Sequence, residues 1–401
     1  MGSEMCIRDR FAPSLKADMV TGNVQQRKEV LDRWKEVDVL ITSYDLLRRD
    51  ITDYQELHFF CEVIDEAQYI KNHGTQAARA VKQVQTGFRL ALTGTPIENR
   101  LSELWSIFDY LMPGYLYSYQ RFRTELEQPI VQHKDEDAAK RLQRLIRPFV
   151  LRRLKKEVLQ DLPDKLEENL YADMDGEQQE LYDAHVRRMK LMLEEKSDEE
   201  IRTDKIEILA ELTRLRQLCC DPALLYDNYK GGSAKTELVR GLIRNAVENG
   251  HKVLLFSQFT TMLERLYRIL EEEKIASHML TGATPKEKRI EMVESFAHDE
   301  VPVFCISLKA GGTGLNLTAA DVVIHFDPWW NSAVQNQATD RAHRIGQKNV
   351  VNVYRILAKG TIEEKIVELQ ERKLQLSDRI LGGESLQAQG LTREELLELL
   401  R

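Results

Sequence analysis

The feature that most constrains this chain is an alternation. Short β-branched runs ending in polar or glycine turns are separated by stretches of helical periodicity. The runs are Val37–Tyr44, Phe60–Ile64, Phe88–Thr93, Lys252–Phe256, Ala276–Leu280, Val301–Ser307, Val322–Phe326 and Val350–Ile356. Strands that alternate with helices build parallel sheets, because a parallel neighbour is reached only through a crossover connection. The runs fall into two clusters, three in the N-terminal quarter and five in the C-terminal half, so two α/β lobes are expected. Between them, from Glu103 to Leu225, the sequence has helical periodicity and little strand propensity, broken at Pro113-Gly114, Pro148, Pro163 and Asp175-Gly176. That stretch is expected to supply helices that mount on and join the lobes.

Charge limits what such lobes can hold. With 57 Lys and Arg against 65 Asp and Glu the net charge is -8, so a histone-like wrapping protein is excluded and any phosphate-binding surface must be a local patch. One candidate is the run with eight basic residues and no acidic one, Lys140, Arg141, Arg144, Arg147, Arg152, Arg153, Lys155 and Lys156. No uncharged apolar run approaches the ~20 residues that span a bilayer, which points away from a membrane and to the cytoplasm, with nucleoid association in a bacterium. The five cysteines include no C-x-x-C pair; Cys219 and Cys220 read as core thiols rather than metal ligands. The first ten residues read as a non-native leader, because Met5-Cys6-Ile7-Arg8-Asp9-Arg10 matches a translated sequencing-library transposon end. On that reading the natural chain begins further upstream.

Three constellations carry chemistry. Asp65 and Glu66 follow an apolar strand, and the C-terminal ends of parallel strands are where open α/β sheets bind ligands. An acidic pair there suits a cation-associated carboxylate and a second carboxylate that orients or deprotonates water. Thr93, Gly94 and Thr95 follow the next strand and could bridge to it. Arg341 and Arg344, three residues apart, would share a helix face and reach one phosphoryl group. A fourth segment misleads: Gly231-Gly232-Ser233-Ala234-Lys235-Thr236 looks like a phosphate loop, but the required glycine positions hold Tyr229 and Ala234 and no apolar strand leads in. It reads instead as the opening of a helix.

Five segments, in this order, resemble the Swi/Snf family of helicase superfamily two, in a bacterial-type form: Asp65-Glu66-Ala67-Gln68, Leu92 to Asn99, Leu255 to Phe259, Ala310 to Leu317 and Asp340 to Gln347. The resemblance covers about Phe11 to Lys373. It implies two RecA-like parallel-sheet lobes, the first incomplete at its N-terminus, with helical insertions between them. The implied boundaries are 11–112 for the C-terminal part of the first lobe, 113–232 for the helical linker, 233–375 for the second lobe and 376–401 for a helical tail. It implies ATP and Mg2+ as cofactors and sequence-nonspecific translocation on double-stranded DNA, with nucleoprotein or polymerase as conceivable obstacles. By similarity Asp65 is the magnesium-associated acid, acting through water, and Glu66 the catalytic base; Gln68, Thr93 and Thr95 couple the lobes; Arg341 and Arg344 are arginine fingers, and Gln347 contacts the nucleotide cleft. Ser43, Tyr44, Gln258, Thr281, Gly282 and the stretch Leu308, Lys309, Ala310, Gly311, Gly312 match DNA-backbone positions. Trp330 matches a tryptophan that reaches the tracked strand or the minor groove.

Two departures, Ser332 for a usual Pro and Gln335 for a frequent Glu, read as peripheral. The serious one is that no G-x-x-x-x-G-K-[ST] occurs in the chain. The triphosphate cradle is therefore expected to be missing, the chain alone to be inactive, and strands of the first lobe to be left as edges. A non-catalytic DNA clamp and, less favoured, an RNA helicase are the alternatives.

Overall fold

The computed structural model describes residues 12–94, 101–133, 135–153, 155–159, 161–197, 200, 203–311, 315–371, 397 and 400. The leader, Thr95, Gly312 and Leu391 to Leu396 lie outside the described residues. The chain divides after Leu151 into two compact units.

In the first unit the strands pair two by two. β1 (Ala17–Met19) runs parallel to β2 (Val39–Ile41), and β3 (His58–Ile64) parallel to β4 (Gln85–Ala91). One core gathers Val20, Leu31, Leu47, Ile64, Ile70, Val81 and Tyr110. A second lies among the helices Leu101–Leu111 and Glu136–Ile146. The burial of β3 and β4 is incomplete: Phe60 is 91% exposed, and Val63, Phe88, Leu90 and Leu92 are also open.

The second unit is a six-stranded, all-parallel sheet. Its strands are β5 (Lys165–Ala172), β6 (Val253–Ser257), β7 (Ser277–Leu280), β8 (Val303–Ser307), β9 (Val322–His325) and β10 (Val351–Ala358), in the order β5-β10-β9-β6-β8-β7. This is the RecA-like lobe implied by the motifs. Successive residues of a strand face opposite sides, and here both sides are covered: Val253, Leu255, Val303, Cys305, Val322 and Ile324 fill one core, while Leu254, Phe256, Phe304, Ile306 and Val323 fill the other. Continuous apolar runs are what a doubly covered parallel strand requires. His325 ends β9 inside this core, with Nε2 2.8 Å from the Thr339 hydroxyl; burial, reinforced by Arg355, pushes its pKa down to about 3.

The strand β5 corrects the sequence reading, which made the whole region from Glu103 to Leu225 helical. It pairs with β10 over eight residues, Lys165 opposite Val351 through Ala172 opposite Ala358. Its sequence, Lys-Leu-Glu-Glu-Asn-Leu-Tyr-Ala, is that of a polar edge strand, tied to the sheet by Lys165 and Arg355 around Glu167.

Candidate active site and nucleic-acid interface

β3 delivers the acidic residues. Beyond Ile64 the chain turns sharply, and Glu66 sits in the left-handed region at φ 50°. A residue with a side chain holds that conformation only where its surroundings enforce it, and such strain collects at functional sites. The enforcement is visible: Leu92 N donates to Ile64 O and Ala67 N to Leu92 O, both at 2.8 Å, and the Tyr44 hydroxyl donates to the Asp65 carbonyl at 2.7 Å. Burial and the neighbouring carboxylates push the Tyr44 phenol up, so it stays a donor.

The side chains form a relay. Thr93 Oγ1 donates to Gln68 Oε1 at 2.8 Å, and Gln68 Nε2 donates to Glu66 Oε2 at 2.5 Å. Asp65 is exposed and accepts from the Glu66 amide at 2.8 Å. Gly94 follows with open space where a Cβ would lie. Ser43 caps the helix Tyr44–Arg49, its hydroxyl accepting from Leu46 N at 3.3 Å. The first unit thus brings together Tyr44, Asp65, Glu66, Gln68 and Thr93.

In the second unit the arginines do not share a helix face. The helix Ser332–Thr339 ends before them, with Asp340 as its C-cap, and residues 340–346 run through successive turns that close on Gly346 at φ 107°. Arg341 is half-buried and Arg344 exposed. Spacing alone could not reveal that the helix stops two residues short of Arg341. The turn is braced from several sides. Lys155 Nζ lies 2.6 Å from Asp340 and donates to His343 O at 3.1 Å, His343 Nε2 meets Pro163 O at 2.8 Å, and Leu317 N donates to Arg341 O at 3.0 Å. Gln347 is buried, and its amide is engaged by backbone at both ends: Nε2 donates to Ala320 O and Ala342 O, and Oε1 accepts from Lys348 N and Asn349 N. It holds the shape of the turn.

Because the sheet is parallel, the C-terminal ends of β6, β7, β8 and β9 lie along one edge. That edge gathers Gln258, Thr281, Gly282, Leu308 and the Asp327 to Trp330 segment. Thr281 and Thr284 close a turn after β7. Leu308–Gly311 is a single helical turn after β8, and Leu308 and Ala310 are buried in the core; the glycine-rich stretch that follows lies outside the described residues. Trp330 is half-buried against a helical core containing Tyr182 and Leu215.

The sequence missed the buried polar groups behind this edge. Asp327 accepts from Ser257 Oγ at 2.5 Å and from Gln258 N at 3.2 Å, and burial raises its pKa. Gln335, taken as peripheral, is 4% exposed and accepts from Trp329 N at 3.2 Å. Their only sequence signal is a polar residue inside an apolar neighbourhood. The basic run also resolves into parts: Arg141 is engaged with Tyr117 and Glu125, and Lys155 with the arginine turn.

A nucleotide-bound Mg2+ takes one or two protein carboxylates and keeps waters and phosphates as its other ligands. The exposed Asp65 fits as one such carboxylate, and among the described residues no group of three or more His, Cys, Asp or Glu could hold a metal ion by itself. The phosphate side does not fit: the one lysine in a loop-like motif, Lys235, is 0% exposed and paired with Glu363.

A parallel α/β sheet with polar turns along its strand ends in one unit, and an Asp-Glu-Ala-Gln turn after a parallel strand in the other, are features of the helicase-like class of nucleotide-binding proteins. Residues 8–224 match the SNF2-related domain and residues 234–346 the helicase conserved C-terminal domain, and the chain belongs to this Swi/Snf family of ATP-dependent helicase-like proteins. An uncharacterized ATP-dependent helicase of Mycoplasma pneumoniae is 39% identical over 395 residues, covering 98% of this chain and 37% of the relative. The human SWI/SNF-related matrix-associated actin-dependent regulator of chromatin subfamily A member 1 is 34% identical over 412 residues, covering 98% and 39%. The chain thus spans about two fifths of the length of these relatives. Among solved structures it is similar to the Sulfolobus solfataricus SWI2/SNF2 ATPase core in complex with dsDNA, at TM-score 0.47 and 35% identity, covering 96% of this chain and 80% of that one. Among the described residues no helix is long and apolar enough to cross a membrane.

Proposed function

We propose that the chain is the C-terminal part of an ATP-dependent double-stranded-DNA translocase, with residues 11–112 in its first motor lobe and residues 233–375, joined by the edge strand β5, in its second. The observation that carries this is the relay Thr93 to Gln68 to Glu66 beside the exposed Asp65. A catalytic carboxylate must be held where it can orient water, and it must be told when the other lobe moves; the relay supplies both through one amide. Asp65 would hold the Mg2+ that accompanies ATP, and the bound nucleotide would supply the scissile phosphoanhydride. Glu66 orients the water and takes its proton. Arg344, exposed on a braced turn, and Arg341 behind it offer guanidinium charge to a phosphoryl group, and Gln347 holds that turn. The strand ends from Gln258 to Trp330, with Ser43 on the first lobe, grip the DNA backbone without reading bases.

The 401-residue chain has no phosphate loop and is therefore proposed to release no appreciable phosphate on its own, while still binding duplex DNA. Fluorescence anisotropy with mixed-sequence duplexes and a phosphate-release assay test this. Binding should be indifferent to sequence, and log affinity should fall linearly with log salt by about 0.9 for each phosphate contact. Preference for RNA would favour an RNA helicase, and robust magnesium-dependent turnover would contradict the missing cradle.

A further inference from the structure

We infer that Arg216 is a positioning residue for the Trp329-Trp330 segment, and that it acts on duplex binding through Trp330; this rests on the DNA role proposed above for Trp330. Arg216 lies on the helix Lys205–Cys220, outside every motif discussed, and is 2% exposed. Its guanidinium carbon lies 5.5 Å from the Trp330 ring centroid, 6.0 Å from that of Trp329 and 5.7 Å from that of Phe259, and Nη2 donates to the Pro328 carbonyl. One cation thus touches the residue after Gln258 at the end of β6, and three successive residues after β9.

The chemistry of the group explains the arrangement. A guanidinium is planar, keeps its charge and stacks on aromatic faces while its N–H groups donate in plane, which an ammonium cannot do. The buried charge is compensated by the Asp327 carboxylate and the Pro328 carbonyl. Two other buried side chains hold Trp329 by its backbone: Gln335 accepts from its N–H, and Gln370 donates both to its carbonyl and, at 3.1 Å, to Gln335. The Trp329-Trp330 segment is thereby held from three helices, and Arg216 is the cation that lies over both indole rings. A tryptophan that meets DNA from a loop would lose conformational freedom on binding; one already clamped does not.

The test is a double-mutant cycle on duplex affinity with the 401-residue chain, using a mixed-sequence duplex and anisotropy. Trp330→Ala should weaken binding by about tenfold, the size of one aromatic contact to nucleic acid. Arg216→Met should weaken it comparably, and the double variant should be no weaker than Trp330→Ala alone. Arg216→Met strands the buried Asp327 and so threatens the fold of the lobe, and Arg216→Lys, which keeps the charge, is therefore the second variant. It should retain the unfolding midpoint within a few degrees yet shift tryptophan emission and lose the same affinity. Wild-type affinity in Arg216→Lys, or effects that multiply in the double variant, would overturn the inference while leaving the DNA role of Trp330 standing. Wild-type affinity in Trp330→Ala would overturn both.

Discussion

Lys235 shows how far a single residue can be read from sequence. Its surroundings spell most of a phosphate loop, yet the missing glycines and the absent leading strand argue for a helix start, and the helix Ala234–Glu248 does begin there. What the sequence could not reveal is the partner, because Glu363 lies 128 residues away; the two side chains, both 0% exposed, meet at 2.8 Å with Phe326 5.0 Å from the ammonium. A charge buried this completely is tolerated only in company, and removing one partner leaves the other stranded at a cost of about 3–5 kcal/mol. Lys235→Met should therefore lower the unfolding free energy by about that amount in urea titrations, and adding Glu363→Leu should restore much of it. An undiminished midpoint in Lys235→Met would mean that the pair is open to water. Glu66 is legible in a different sense: an acidic residue after an apolar strand marks it as a candidate, but its left-handed backbone depends on the Leu92 and Ala67 bonds and carries no signal of its own.

Elements were legible where burial is two-sided. β6, β8 and β9 are short apolar runs because both faces are covered, and each was readable within a few residues. β5 was not, because an edge strand hydrogen-bonded along one side can carry Lys165, Glu167 and Glu168 without loss, which erases the pattern. The arginine turn failed for another reason: i, i+3 spacing is necessary for a shared helix face but does not say where the helix stops, and here the stop depends on contacts with Lys155, Leu317 and Gln347 from elsewhere in the chain. Helix starts are more local. Ser233 Oγ accepts from Thr236 N at 3.2 Å and donates to Cys220 O at 2.6 Å, joining the start of one helix to the end of another. Ser233→Ala should cost about 1–2 kcal/mol, measured by denaturant unfolding, whereas Ser233→Thr should retain most of it. A neutral alanine variant would show that this cap carries no stability.

At the scale of the whole molecule the candidate functional residues fall into two sets, each assembled by one unit. The first unit holds the carboxylates and their relay, the second the arginine turn and the strand-end surface. The function proposed above joins the two sets into one account, in which ATP hydrolysis would drive movement on duplex DNA and Glu66 would activate water. The decisive measurement is DNA-stimulated phosphate release by a longer protein that carries this chain behind an intact phosphate loop, compared with its Glu66→Gln variant. The account predicts that duplex DNA stimulates the parent, that the variant loses at least about a hundredfold in turnover, and that both bind duplex DNA equally. Unimpaired turnover in Glu66→Gln would contradict it.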